Sequence, residues 1–165
     1  MINRLVAAAL ASLIGGAASA ATATTTFAVT ANLQSTCSTS ATALAFPAYT
    51  PGGGAKTANS TISVRCTKNT AYTVALNAGT TTGGAFAQRL MASGANTLQY
   101  NLYTSAAFSS IFGDGTASTA TSAGTGAGIG TANAVTVYGN LPDSATNQAA
   151  VPGNYTDTIT VTVTY

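Results

Sequence analysis

The chain has 165 residues, 46% of them hydrophobic and only 5% charged, with a formal net charge of +2. Disordered chains combine low hydrophobicity with high charge, so this composition argues for a folded protein. With no His and no Glu, a Ser/His/Asp triad, a Cys/His pair and histidine metal sites are excluded.

Residues 1–20 have the three parts of a cleaved secretory signal peptide in order: Arg4 supplies the positive charge, Leu5 to Ala18 is an apolar run, and Ala18-Ser19-Ala20 is an A-x-A site. The apolar run is about 14 residues, short of the roughly 20 that a membrane-spanning helix needs, so no membrane span is expected after cleavage. The mature chain then starts at Ala21. Its first feature is Thr25 to Leu33, where Phe27, Val29, Ala31 and Leu33 alternate with Thr26, Ala28, Thr30 and Asn32 in the period of a strand with one buried face. No turn signal joins it to a neighbour. Such a strand pairs far along its own chain, as the first strand of a complete sandwich, or with another molecule.

Cys37 and Cys66 are the only cysteines, and in an exported chain they are expected to form one disulfide worth roughly 3 to 4 kcal/mol in the chain-entropy account. Both continue odd or even apolar sets of their strands, which places the bridge inside. Ala41 to Phe46 alternates and is stopped by Pro47; Pro51 to Gly54 is a loop. Strands are expected over Ser60 to Cys66, over Tyr72 to Leu76, near Arg89 to Met91, over Leu98 to Tyr103 and over Val135 to Tyr138. Gly113 to Gly130 reads as a long surface loop with little to bury. At the carboxyl end Ile159, Val161, Val163 and Tyr165 alternate with Thr158, Thr160, Thr162 and Thr164. Six or seven short strands and no helical period predict an all-β sandwich. An immunoglobulin-like sandwich needs one more strand after the last, and the sequence offers none.

Remaining features have plain structural readings. Asp114, Asp143 and Asp157 stand beside turn residues and read as solvated loop carboxylates. Tyr72, Tyr100, Tyr103, Tyr138 and Tyr155 suit a core or sheet position better than a sugar-binding face. Gly126 to Gly130 mimics a phosphate-cradling loop but opens no helix. Asn59-Ser60-Thr61 and Asn154-Tyr155-Thr156 match the glycosylation acceptor pattern, although the signal looks bacterial. Lys56, Arg65, Lys68 and Arg89 are too few and scattered for a nucleic-acid footprint.

Taken in order, Phe46-Pro47-Ala48-Tyr49, Ile62 to Cys66, Tyr72 to Leu76, Arg89-Leu90-Met91, Leu98 to Tyr103, Phe112-Gly113-Asp114-Gly115, Val137-Tyr138-Gly139 and Gly153 to Val163 resemble the spore coat protein U domain family. That family includes the pilin subunits of Csu-type, or archaic, chaperone-usher pili. Two positions depart from its pattern: Pro47 stands where Gly is common, and Phe112 where Trp is. The resemblance implies an incomplete immunoglobulin-like β-sandwich lacking its last strand, completed by donor-strand complementation. It divides the chain into a signal peptide (1–20), an amino-terminal donor-strand extension (21–36) and the sandwich domain (37–165). Phe27, Val29, Ala31 and Leu33 become donor side chains, and Ile159, Val161, Val163 and Tyr165 one edge of the acceptor groove. The implied partners are other pilin subunits, a periplasmic chaperone and an outer-membrane usher. The implied location is the periplasm in transit and then a surface fimbrium serving adhesion or biofilm formation. A spore or cell coat protein of the same fold and a secreted monomeric binding module are the alternatives. No catalytic residue, cofactor or metal is expected in any of the pilin or coat readings.

Overall fold

The computed structural model describes residues 19–165, so the expected signal peptide lies outside the described residues except for Ser19 and Ala20. The chain divides after Asn32. The described residues of the first part, 19–32, form no helix or strand and are exposed throughout. The strand expected over Thr25 to Leu33 is therefore absent from the isolated chain. The physical reason is that a strand exists as half of a ladder, and alternation alone supplies no partner edge.

The second part, residues 33–165, is all-β apart from one short helical turn. Its strands are β1 (Cys37–Ala41), β2 (Lys56–Cys66), β3 (Ala71–Leu76), β4 (Arg89–Ser93), β5 (Asn96–Tyr103), β6 (Ser122–Thr125), β7 (Asn133–Leu141) and β8 (Val161–Thr164), with α1 (Ala145–Gln148) between β7 and β8. One sheet has the order β1-β2-β7-β5-β4 and the other β6-β3-β8, and every ladder is antiparallel. The alternation seen in the sequence becomes the core. Ile62, Val64 and Cys66 of β2, Tyr72, Val74 and Leu76 of β3, Leu98, Tyr100 and Leu102 of β5, and Val137 and Leu141 of β7 are all buried.

Cys37 and Cys66 are bonded and are also ladder partners, with a Cα separation of 4.1 Å. The bridge thus fastens the first residue of β1 to the core edge of β2, as its parity implied. Past Ala41 the ladder frays. The Thr42 N–H still donates to the Thr61 carbonyl at 3.0 Å, but Leu44 and Phe46 then leave the sheet edge and turn inward, where the sequence pattern suggested continued strand. Room for them comes from Gly139: a Cβ there would stand 2.9 Å from the Leu44 methyls and 3.0 Å from the Phe46 ring.

Two further differences have local causes. The stretch from Gly113 to Gly130 is not all loop, because β6 forms within it and pairs with β3. Its small residues give no hydrophobic signal, yet backbone groups need no side chains to build a ladder. The close fit requires them to be small, since a Cβ on Gly124 would collide with the Tyr72 ring. At the carboxyl end the ladder starts only at Val161. Just before it, the Thr160 N–H donates to the Asn77 side-chain Oδ1 at 2.9 Å while its carbonyl accepts from the Asn77 N–H at 3.1 Å. A side chain has replaced a ladder rung there.

Candidate functional site

β1 is an edge of one sheet and β8 an edge of the other. Between the continuation of β1 (Ala41 to Phe46) and the final segment (Tyr155 to Val161) lies an open apolar groove with a cavity of about 390 Å³. Ile62, Leu76, Leu102 and Val137 form its floor, and Leu44, Phe46, Met91 and Tyr100 close one end. The trough runs along the two sheet edges, over floor side chains that belong to the buried core.

Of the expected groove-edge residues, Ile159 and Val161 line this cavity. Val163 packs half-buried against the core beyond it, and Tyr165 is exposed. The expected donor residues are in the opposite condition: Phe27 is 85% exposed, Val29 84% and Leu33 88%, with Ala31 exposed as well. Sequence reasoning missed the groove's end wall. Leu44 and Phe46 showed their period but were placed in a strand, and Tyr100 and Tyr155 were indistinguishable from other sheet tyrosines.

The final segment crosses from one sheet to the other, and named contacts hold it on both sides. Thr156 exchanges two backbone hydrogen bonds with Ala92 of β4, at 2.8 and 3.0 Å. One residue on, Asp157 accepts from the Tyr100 hydroxyl at 2.6 Å and from the backbone N–H groups of Thr80 (2.9 Å) and Thr81 (3.0 Å). Burial acts to raise the Asp157 pKa, but the hydrogen bonds from Tyr100, Thr80, Thr158 and Thr81 outweigh it and hold the carboxyl below its ordinary value. Burial, and then the bond to Asp157, push the Tyr100 hydroxyl upward. Asp157 is thus a half-buried brace of the groove wall, which corrects the reading of it as a solvated loop carboxylate. The fold does not bring the three acids together. Asp143 gathers the Tyr49 hydroxyl and the N–H groups of Gly52 and Gly54, and Asp114 bonds both the N–H and the hydroxyl of Thr116. Each organises a different loop.

Behind the end wall, Arg89 is fully buried. Its guanidinium donates to Asn101 Oδ1, the Asn77 carbonyl and the Phe112 carbonyl, each at 2.7 Å, and to the Asn77 carbonyl again through Nε at 3.2 Å. Burial lowers its pKa, partly offset by Tyr100, Asp157 and Tyr103. In one side chain it ties β4 to β5 and to the ends of both loops that flank the core. Its sequence signal was a lone Arg opening a strand, which periodicity alone assigns to the surface.

Beside the groove lies a second apolar notch of about 650 Å³, which shares Leu44, Phe46, Met91 and Tyr155 with it and extends to Pro47, Tyr49, Val151 and Pro152. Among the described residues there is no group of three or more potential metal ligands, and no cysteine is free. Nor is any helix among them long and apolar enough to cross a membrane.

A search of curated proteins matched none. Among solved structures, the chain is similar to one chain of the CsuC-CsuE chaperone-tip adhesion subunit pre-assembly complex from the archaic chaperone-usher Csu pili of Acinetobacter baumannii. The TM-score is 0.53 at 22% sequence identity, over 80% of this chain and 40% of that one. The chain therefore spans well under half the length of that relative, and the likeness supports the shared immunoglobulin-like fold. The Spore Coat Protein U domain profile matches residues 23–162, from ahead of the exposed amino-terminal stripe to within β8. With nearly the whole length matched and the groove in place, the chain belongs to the spore coat protein U domain family.

Proposed function

We propose that this chain is a pilin: a structural, non-catalytic subunit of a chaperone-usher surface fibre, in which Phe27, Val29, Ala31 and Leu33 of one copy fill the groove of the next. The observation that carries this reading is the open apolar trough between two free sheet edges, in a chain that also carries an exposed stripe of matching period. Burying Phe27, Val29 and Leu33 is worth roughly 1.5 to 3 kcal/mol each, before ordering costs are subtracted. Hydrogen bonds along the edge of β8 add on the order of 1 kcal/mol apiece. Such a contact dissociates slowly and suits a fibre.

Export through a signal peptide, a periplasmic chaperone that covers the groove in transit and an outer-membrane usher follow from this reading, as does a role in adhesion or biofilm formation. The Csu complex, in which a chaperone is paired with a tip adhesion subunit, supports the chaperone step by analogy. A coat protein of the same fold is the second reading, favoured by the name of the family domain.

The test is a gel of the purified exported chain, unboiled and boiled, with and without residues 21–33. Strand donation predicts a ladder of SDS-resistant multimers that collapses on boiling and requires the deleted segment. A stable monomer in both forms, under conditions that allow assembly, would overturn it.

A further inference from the structure

Strand donation brings two subunit bodies together, because the connection between stripe and body is short. Leu33 and Cys37 are four residues apart, so their Cα atoms lie within about 14 Å of each other. The chain is already fixed at Thr36, whose carbonyl accepts from the Thr67 N–H at 3.0 Å. The donor's body must therefore stand against whichever end of the acceptor groove Leu33 leaves.

Strand polarity selects that end. The final segment is the groove wall that leads into the β8 ladder on β3, and an antiparallel neighbour is the more stable partner for it. Antiparallel pairing of the seven donor residues Phe27 to Leu33 with the seven from Val161 back to Tyr155 sets Phe27 beside Val161 and Leu33 beside Tyr155. Leu33 then leaves at the Tyr155 end, where the second notch begins.

Beyond the donor stripe, the exposed large apolar side chains among the described residues are Ile129, Val151 and Tyr165, at 46%, 53% and 57%. Val151 lies in the notch. Ile129 lies at the pole from which the donor strand departs: the Gly128 N–H donates to the Cys66 carbonyl at 3.1 Å, and Cys66 is bonded to Cys37. The Ile129 turn is held in place by the Gly130 carbonyl, which accepts from the Arg65 guanidinium at 2.8 Å, and by the Thr131 N–H, which donates to the Gly128 carbonyl at 2.9 Å. A fixed apolar knob thus stands beside the strand exit, and an apolar notch opens at the groove end the strand must leave.

We propose that Ile129 of each donor copy packs into the notch formed by Pro47, Tyr49, Val151, Pro152 and Tyr155 of its acceptor, a body-to-body contact that sets the angle between successive subunits. The proposal rests on the strand-donation reading and adds a second, independent surface to it.

The test mixes two singly substituted full-length exported chains, Ile129→Cys and Val151→Cys, lets them assemble and applies mild oxidation. The expected result is a ladder whose rungs partly survive boiling without reductant, collapse with reductant, and do so only in the mixture. A ladder that forms but collapses fully on boiling in the mixture overturns the contact and leaves strand donation standing. No ladder from the unsubstituted chain overturns strand donation and the contact together. In a second measurement without added cysteines, Ile129→Asp should lower the temperature at which the unboiled ladder collapses, whereas Ile129→Val should not. Equal temperatures for the two also overturn the contact.

Discussion

Replacing Arg89 by leucine probes the least expected structural feature of this domain. Two effects oppose each other. A buried cation without a directly bonded carboxylate is costly, so removing it relieves a desolvation penalty. Its removal also leaves the Asn77 and Phe112 carbonyls without the donors they now have at 2.7 Å, while Asn101 Oδ1 keeps only the Leu102 N–H at 2.9 Å. Each abandoned buried acceptor costs about 1 to 3 kcal/mol. Asn101 Nδ2 stays committed to the Phe86 and Ala87 carbonyls, so it cannot turn to compensate. Two abandoned carbonyls, and an amide oxygen left with one donor of two, outweigh the relief of one cation whose charge is already spread over four hydrogen bonds. The expected net loss is about 3 kcal/mol, a large share of the roughly 5 to 15 kcal/mol that holds a domain together. Urea unfolding of the exported chain, followed by circular dichroism, should show a lower midpoint at an unchanged slope. Arg89→Lys should recover only part of the loss, because a point charge cannot reach all three oxygens. A midpoint for Arg89→Leu within about 0.5 kcal/mol of the parent, the range of an ordinary surface substitution, would refute the reasoning.

Val29→Asp and Leu33→Asp place a charge on the donor stripe but touch nothing in the isolated domain, where both residues are exposed. They should abolish the SDS-resistant ladder and leave urea stability of the monomer unchanged. Gly126→Ala drives a Cβ into the Thr67 carbonyl and to 2.8 Å from the Cys66 Cβ, so a cost of roughly 1 to 3 kcal/mol is expected in the same urea assay. Asp114, Asp143 and Asp157 are all held below their ordinary pKa: Thr116 leads for the first, Tyr49 for the second, and hydrogen bonds that outweigh burial do so for the third. The unfolded chain therefore binds more protons in acid. Stability should be full above about pH 5 and fall as pH drops through the depressed folded values. Urea midpoints between pH 7 and pH 2 would show this, and Asp157→Asn should shallow the fall. Burial and then the Asp143 hydrogen bond push the Tyr49 hydroxyl up to about 12, so an absorbance titration of the Tyr49→Phe chain should lose a late phenolate step and keep the earlier ones.

The alternation of Ile62, Val64, Tyr72, Val74, Leu98, Leu102 and Val137 was enough to specify the strands and their buried faces, because a period of two needs no knowledge of the partner strand. It likewise specified which side of β1 and β2 the disulfide occupies. What periodicity could not specify was pairing. Whether Thr25 to Leu33 meets an edge of its own sheet is a long-range matter, and only the tertiary structure brought the groove residues together. The same holds for β6, whose rungs are built from backbone groups of residues with no hydrophobic signal, and for Leu44 and Phe46, which leave their sheet because Gly139 makes room. Arg89 and Asp157 are the sharpest cases. A lone charge in a sequence reads as surface, and it becomes a core tie or a wall brace only when residues a dozen or more positions away bring the matching oxygens and N–H groups to it.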